Sequence, residues 1–493
     1  MLGPLLLSLA FPKLDWGIFA FIALVPLFLL WSKSSWKEAF AWGLLAGVIL
    51  FGLLLNWTTH SLSTFIGGWW VLGLVLICLW QGLNIAFIAL ATSLVCRGEF
   101  RTIAIFAAPA AWLLGETWRT RGSLGVPFGE LGLAAVHLPW LLPLAAYGGV
   151  YLLTFVIALA NGAIAGIIAG TPQARRVSGI VLGVLVVLIV FCDVRRNHMA
   201  MPPPSLRVGI AQGNISQTEK WSPAIFAQTI ATYAALTQKA SARGAKLVVW
   251  PETAVTSWPL QDPLLLSALE SIAQRSNVWL ITGAIDKPNA DTYYNSMLDL
   301  SPKRRVGGVY HKRWLVPFAE YLPWEGVLAR IPIMDNVSRF LSGPGLHLLP
   351  AAGFQWGVLI CYESAFAPYA RATANAGSDA IIVATDDAWF GGTTGPDQHA
   401  DVAIVDAVST GRWIVRGADT GISMIVDPKG NIVALLPIDR QGAIVADIGR
   451  GVVTPYDRFG IAWLLSLALL VLIAGFIRTR TGAVGWRSKR GVA

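Results

Sequence analysis

The feature of this sequence that most constrains its fold is a series of apolar segments long enough to cross a lipid bilayer. Six lie before residue 195, at about 17–31, 38–56, 69–96, 102–116, 140–169 and 178–193, and another covers 459–477. A hydrocarbon layer about 30 Å thick requires roughly 20 apolar residues in a helix. With a shorter apolar stretch at the N terminus, the segments predict a multi-pass α-helical membrane bundle with about seven spans in 1–195 and a last span over 459–477.

The composition points to the same class of protein. Hydrophobic residues make up 55% of the chain and charged residues only 13%, which is too apolar for an ordinary soluble protein. The net charge of +9 is largely explained by basic residues in the loops of a membrane protein. It therefore gives little reason to expect nucleic-acid binding.

Basic residues in short loops indicate the orientation, because Lys and Arg accumulate on the cytoplasmic side. If eight spans alternate, one side receives Lys33, Lys37, Arg97, Arg101, Arg175, Arg176 and the basic tail 478–493. The residues that do not fit are Lys13, Arg119, Arg121, Arg195 and Arg196. On balance the pattern predicts a cytoplasmic tail and places residues 205–450 outside the cytoplasm, in the periplasm of a bacterial inner-membrane protein.

Residues 205–450 have the pattern of a globular α/β domain. Three prolines, Pro202 to Pro204, separate this region from the last apolar helix before it. Strand-like runs such as LRVGIAQGNI, AKLVVWPETA, GFQWGVLICYE and DAIIVATDD alternate with helical patterns. We therefore expect a layered α/β domain inserted between membrane spans.

Cys361 is the only cysteine of this predicted domain, since Cys78, Cys96 and Cys192 lie in or at the ends of apolar segments. It ends the apolar run GVLIC and has no partner for a disulfide within the domain. Taken alone, a buried and inert core cysteine is the more common explanation. A thiol kept for its reactivity is the alternative.

Two further ionisable residues make the reactive alternative stronger. Glu252 and Lys312 also follow strand-like runs, so all three side chains are expected to meet in one cleft at the ends of strands of one sheet. A nucleophilic thiol needs a neighbouring base or cation, and an oxyanion intermediate needs a positive charge. The alternatives are that Glu252 is a helix N-terminal acid and that Lys312 is a solvated loop residue.

Four motifs in this order carry a family resemblance: WPETA, HKRWLVPFAEYLP, CYES and DAWFGGTTGPDQHA. They resemble the nitrilase superfamily and, together with the apolar segments, its membrane branch, the apolipoprotein N-acyltransferases. The resemblance implies an α-β-β-α sandwich with Glu252 as general base, Lys312 as oxyanion stabiliser and Cys361 as nucleophile.

The resemblance also assigns roles to other residues. Glu320, Tyr362 and Glu363 match residues that support the catalytic three. Trp221 matches an aromatic residue on a mobile loop near the lipid entrance, with a surface anchor or a satellite core residue as the alternative. Trp389 and Phe390 are expected to form an apolar lip for the lipid, with a core role as the alternative.

The implied reaction transfers an acyl chain from a phospholipid to Cys361 as a thioester. The chain then passes to the N-terminal amine of diacylglyceryl-cysteine on an apolipoprotein. We expect a monomer without cofactor or metal, because the histidine of DQHA has no partner at a metal-ligand spacing.

Four positions depart from the family pattern. Asp386 and Asp419 stand where asparagine is usual, and Asp406 and Ser409 stand where the family generally carries Arg and Glu. These changes place substrate choice in question more than catalysis. A membrane-tethered amidohydrolase, an acyltransferase with another acceptor and a catalytically silent lipid-binding protein therefore remain alternatives.

Overall fold

The computed structural model describes residues 2–96, 100–332, 334 and 337–490, of which 480–490 are described by their backbone alone. Arg97, one of the basic loop residues, lies outside the described residues. The chain forms two compact units. The first comprises Met1–Thr59, Gly68–Met199 and Phe459–Ala493, and the second comprises His60–Gly67 and Ala200–Arg458.

The first unit is helical. Its α-helices are Leu2–Ser8, Ala20–Ala23, Val25–Lys33, Trp36–Leu54, Trp70–Cys96, Ala104–Arg119, Ala145–Ala169, Pro172–Asn197 and Ala462–Arg490. Within the described part of the chain, the helices long and apolar enough to cross a membrane are Trp36–Leu54, Thr58–Cys96, Leu142–Ala169, Pro172–Asn197 and Ala462–Thr479. The shorter apolar helix Gly17–Lys33 and the 16-residue helix Ala104–Arg119 cover two more of the predicted spans. The helical membrane class is thus confirmed, whereas a topology of eight crossings stays a prediction.

The second unit contains twelve strands in its described residues. They are β1 (Leu206–Gln212), β2 (Leu247–Val249), β3 (Trp279–Asn289), β4 (Thr292–Ser301), β5 (Arg305–His311), β6 (Leu349–Ala351), β7 (Phe354–Ile360), β8 (Ala380–Thr385), β9 (Trp413–Ala418), β10 (Ser423–Val426), β11 (Ile432–Leu436) and β12 (Gly442–Ile448). One sheet has the order β12-β1-β2-β3-β4-β5, and the other has the order β11-β10-β9-β8-β7-β6. In each sheet three adjacent strands, β1 to β3 and β7 to β9, run parallel to one another.

The helices of this unit are Thr58–Ile66, Gln217–Lys220, Pro223–Ala242, Pro263–Ser276, Glu325–Leu328, Ala367–Asn375, Gly395–Thr410 and Pro455–Phe459. Local sequence sets their ends, as in Pro263–Ser276. Asp262 accepts hydrogen bonds from the first-turn amides of Leu264 and Leu265, and Asn277 ends the helix in the left-handed conformation.

Two apolar cores hold the layers together. One lies between the sheets and contains side chains such as Val249 of the first sheet and Val358 of the second. The other lies between the first sheet and its covering helices, with Leu236 and Leu269 packed against the sheet. On the second sheet, helices Ala367–Asn375 and Gly395–Thr410 cover the other face. The α-β-β-α arrangement expected from the sequence is confirmed.

Candidate active site

Glu252, Lys312 and Cys361 each follow the carboxyl end of a strand in the second unit. Glu252 lies three residues beyond β2, and Lys312 directly follows β5. Cys361 directly follows β7, which belongs to the other sheet. The expectation that all three lie on strands of one sheet was therefore wrong. The site draws on both sheets, because the core between them brings their strand ends together.

Glu252 and Lys312 form a buried ion pair. Their exposed fractions are only 6% and 1%, and Lys312 Nζ lies 3.2 Å from Glu252 Oε1. The same ammonium donates to Glu320 Oε1 at 2.9 Å. Asn295 of β4 donates its side-chain amide to both carboxylates, at 2.7 Å to Glu252 and 3.1 Å to Glu320. Four side chains thus hold one another in a single arrangement.

The two carboxylates keep Lys312 charged. Burial by itself lowers the pKa of the ammonium, but Glu252 and Glu320 outweigh it, so the pKa lies well above its ordinary value. A permanent cation at this position is suited to stabilising negative charge that develops nearby during a reaction.

Cys361 occupies a strained backbone position. Its φ of 49° lies in the left-handed region, where non-glycine residues are uncommon, and it opens the 3₁₀ turn Cys361–Ala365. Burial raises the pKa of the thiol well above its ordinary value, and the charge of Glu252 adds to this while that of Lys312 opposes it. The resting thiol is therefore protonated, and a nucleophilic reaction requires a base to remove its proton.

Glu363 ties this turn to the segment that follows Lys312. Its Oε1 accepts from the backbone amides of Arg313 at 2.7 Å and Trp314 at 3.2 Å, and its Oε2 accepts from that of Ile360 at 2.8 Å. The hydroxyl of Tyr310 lies 2.9 Å from both oxygens. Burial raises the pKa of this carboxyl, and the surrounding amides oppose the shift. One carboxylate thereby sets the distance between the ends of β5 and β7.

The aromatic residues named from the sequence are spread around this site. Tyr362 packs edge-on against Phe366 with ring centroids 4.9 Å apart. Trp221 is 47% exposed and follows the short helix Gln217–Lys220. Phe390 is buried, with its ring edge-on to the imidazole of His399 at 5.8 Å. A substrate-binding role for these residues stays a prediction.

Trp389 contacts the segment His60–Gly67 of the same unit. Its ring stacks on Phe65 with centroids 4.8 Å apart, and its carbonyl accepts a hydrogen bond from Ser61 at 2.6 Å. The apolar lip predicted for Trp389 is thus partly covered by a neighbouring aromatic ring.

Sequence reasoning missed several polar residues near the three candidates. Asn295 lies inside strand β4, and the only signal that could have found it is the alternation that makes it one of the inward-facing residues of that strand. His399 was considered only as a metal ligand, yet its imidazole lies 3.0 Å from Asp387 Oδ1 and 3.2 Å from the carbonyl of Cys361. Asp387 also accepts from Arg416 at 2.6 Å. This buried chain supports the nucleophile turn from the side of helix Gly395–Thr410.

The four residues that the resemblance marks as departures, Asp386, Asp406, Ser409 and Asp419, have different surroundings. Asp386 and Asp419 lie on either side of the buried ammonium of Lys220. Asp406 is buried, neither of its carboxyl oxygens has a hydrogen-bond partner among the described residues, and burial raises its pKa well above the ordinary value. Ser409 is buried and donates to the carbonyl of Asp406 at 3.2 Å.

Comparisons with known proteins agree with the fold and the motifs. A family model named Apolipoprotein N-acyltransferase N-terminal domain matches residues 3–163, and one named Carbon-nitrogen hydrolase matches residues 207–458. The apolipoprotein N-acyltransferase of Geobacter metallireducens is 30% identical over 98% of this chain and 95% of the relative. That of Azotobacter vinelandii is 34% identical over 76% of this chain and 73% of the relative.

Solved structures of the nitrilase superfamily also match. One from Saccharomyces cerevisiae, a member of branch 10 of the superfamily, is 19% identical, covers 51% of this chain and 92% of its own, and has a TM-score of 0.41. The resemblance drawn from the four motifs is confirmed by the two family models and by relatives aligned along most of the chain. This membrane protein, with its helical N-terminal part and its nitrilase-superfamily domain, belongs to the apolipoprotein N-acyltransferase family.

Proposed function

We propose that this protein transfers an acyl chain from a membrane phospholipid, through a thioester on Cys361, to the N-terminal amine of diacylglyceryl-cysteine on apolipoproteins. The observation that carries the proposal is the buried Glu252–Lys312 pair, 3.2 Å apart, together with the buried thiol of Cys361 in a strained turn. The names of the relatives support the acceptor, and the apolar helices support a lipid donor.

In the first half-reaction Glu252 accepts the thiol proton while the sulfur of Cys361 attacks the ester carbonyl carbon. The oxyanion of the tetrahedral intermediate is stabilised by Lys312. When the carbon–oxygen bond breaks, Glu252 returns the proton to the departing glycerol oxygen, which leaves with the lysophospholipid. The products are a thioester on the enzyme and a free hydroxyl on the lipid.

In the second half-reaction the neutral α-amine of the acceptor attacks the thioester carbonyl. Glu252 accepts a proton from the attacking nitrogen, the carbon–sulfur bond breaks, and the proton returns to the sulfur. A domain on the periplasmic side of a bacterial inner membrane, acting as a monomer, meets both substrates at the outer leaflet. Acyl chains then stay in hydrocarbon, since moving them into water costs about 0.8 kcal/mol per methylene.

The experiment that tests this proposal is intact-mass analysis of purified protein incubated with phospholipid. The wild type should gain one acyl mass that hydroxylamine removes, and Cys361→Ala should gain none. Cys78→Ala, Cys96→Ala and Cys192→Ala are matched controls and should acylate normally. Glu252→Gln should acylate roughly 10²–10³-fold more slowly. Acylation of Cys361→Ala at the wild-type rate would refute the assignment of the nucleophile.

Adding a diacylglyceryl-cysteine peptide separates a transferase from a membrane-tethered amidohydrolase. A transferase should return the acyl mass to the peptide as an amide and hold its thioester for longer in buffer alone. Rapid release of free fatty acid at the same rate with and without the peptide would favour the hydrolase. This second candidate is considered because residues 207–458 match the Carbon-nitrogen hydrolase family model.

A further inference from the structure

A buried cation that the proposed reaction does not use lies next to Glu252. Lys220 is only 2% exposed, and its Nζ donates to Asp386 Oδ2 at 2.6 Å. The same ammonium forms an ion pair with Asp419 Oδ2 at 3.1 Å. It also donates to the backbone carbonyl of Glu252 at 3.2 Å. A lysine so completely removed from water needs such partners, because an unpaired buried ammonium is strongly unfavourable.

Lys220 reaches Glu252 by a second route through Asp386. The backbone amide of Asp386 donates to Glu252 Oε2 at 3.0 Å, on the opposite side of the carboxylate from Lys312 and Asn295. Lys220 therefore binds the main chain of Glu252 directly. It also binds Asp386, whose backbone amide orients the Glu252 side chain.

The two aspartates are themselves held in place. Asp419 Oδ1 accepts from the hydroxyl of Tyr233 at 2.8 Å and from the amide of Ile215 at 3.3 Å. Burial raises the pKa of Asp386 to about 6, although the charge of Lys220 opposes this shift. Burial acts to lower the pKa of Lys220, but the two carboxylates outweigh it and raise that pKa above its ordinary value. The cluster thus pairs the buried ammonium of Lys220 with two buried carboxyl groups.

The cluster also connects Glu252 with the segment that carries Trp221. Lys220 is the last residue of the helix Gln217–Lys220 and directly precedes Trp221. With the amide of Gln217 oriented to satisfy its neighbours, its nitrogen donates to Asp386 Oδ2 at 3.0 Å and its oxygen accepts from Trp221 Nε1 at 3.1 Å. Hydrogen bonds therefore connect this segment with the residues around Glu252.

We propose that Lys220, held between Asp386 and Asp419, is a positioning residue that keeps Glu252 in the geometry in which it accepts the proton of Cys361. This inference rests on the proposed function only in taking Glu252 as the base. The two carboxylates suit this position, because a buried lysine is better compensated by carboxylates than by amides.

The test is a double-mutant cycle on the reactivity of Cys361 toward iodoacetamide, followed by peptide mapping, which involves no lipid. Lys220→Met should lower the rate constant of alkylation about tenfold or more in the wild-type background. In the Glu252→Gln background the same change should have less than about a twofold effect, because a residue that acts through Glu252 has nothing left to position. An equal effect in both backgrounds overturns the proposal, as does Glu252→Gln with wild-type reactivity.

One further variant separates positioning from folding. Lys220→Met combined with Asp386→Asn and Asp419→Asn leaves no unpaired buried charge, so it should keep a wild-type melting temperature and still alkylate slowly. Wild-type reactivity of this triple variant would mean that Lys220 only balances charge. Failure of both Lys220 variants to fold would assign the residue to stability alone and overturn the proposal.

Lys246→Met is the matched control, because Lys246 is an exposed lysine of the same unit, and its variant should behave as the wild type. If phospholipid does not acylate the wild-type protein, the proposed function is contradicted, but the outcome of the alkylation cycle does not change. The two hypotheses can therefore fail separately.

Discussion

Replacing Glu363 with glutamine should loosen the turn that carries Cys361. The carboxylate accepts from the amides of Arg313 and Trp314 on one oxygen and from that of Ile360 on the other, with Tyr310 between them. Glutamine has a single acceptor oxygen, so at least one of these amides must face an NH₂ group. A buried donor without an acceptor costs about 1–3 kcal/mol.

That loss should be visible in both stability and rate. For a domain of this size each kcal/mol corresponds to roughly 2–4 °C in melting temperature. The left-handed φ of Cys361 costs about 1–3 kcal/mol and persists only while its surroundings enforce it. We therefore expect the burst of acyl-enzyme formation to slow roughly 10- to 100-fold in Glu363→Gln.

The assay is a single-turnover measurement of acylation beside a thermal melt in detergent. Glu325→Gln is the control, since the Glu325 side chain is 57% exposed, and both of its readouts should match the wild type. A Glu363→Gln protein with wild-type melting temperature and burst rate would refute the reasoning. It would mean that the hydrogen bonds accepted by Glu363 do not hold the turn of Cys361 in place.

Three other predictions concern charge and topology. Lys312→Met should insert and fold but acylate roughly 10²–10³-fold more slowly in the same burst assay, because the cation for the oxyanion is gone; an unchanged burst rate would exclude that role. Asp406→Asn should stabilise the protein increasingly as the pH rises. Folding raises the pKa of the Asp406 carboxyl, so its contribution to stability is fully present only below the unfolded pKa of about 3.9. Above that pH the wild type loses the contribution at about 1.4 kcal/mol per pH unit until the folded pKa is reached. Melting curves between pH 5 and pH 8 check this, and a pH-independent difference between variant and wild type would contradict it. Reporter fusions within 205–450 should indicate the periplasm and a fusion after Arg490 the cytoplasm, whereas a cytoplasmic signal from 205–450 would reverse the predicted orientation.

Much of the architecture could be predicted because it depends on local pattern. Apolar segments of sufficient length predict membrane helices, whichever helices they pack against. Apolar runs such as that of β7 predict buried strands. The strand pattern nevertheless missed β6 and β12, and it indicated β5 only by its end before Lys312. In β5, the partly exposed RVGGVYH contains two glycines and no continuous apolar run, so pairing with β4 rather than local preference makes it a strand.

The candidate site divides in the same way. Glu252, Lys312 and Cys361 could be named from the sequence, because each stands in a short motif whose residue types suit one chemistry. Which sheet each belongs to, and the sharing of Asn295 between Glu252 and Glu320, depend on residues far apart in the chain.

The sequence by itself therefore determined the membrane class, the α/β nature of 205–450 and the identity of the candidate nucleophile, because composition and periodicity act through neighbouring residues. Only the tertiary structure decided that Lys220 lies between Asp386 and Asp419 beside Glu252, and that Glu363 joins the ends of β5 and β7. The physical reason is that burial and pairing of charge depend on distances between segments separated by more than a hundred residues, as Lys220 and Asp386 are, and no local pattern encodes those distances.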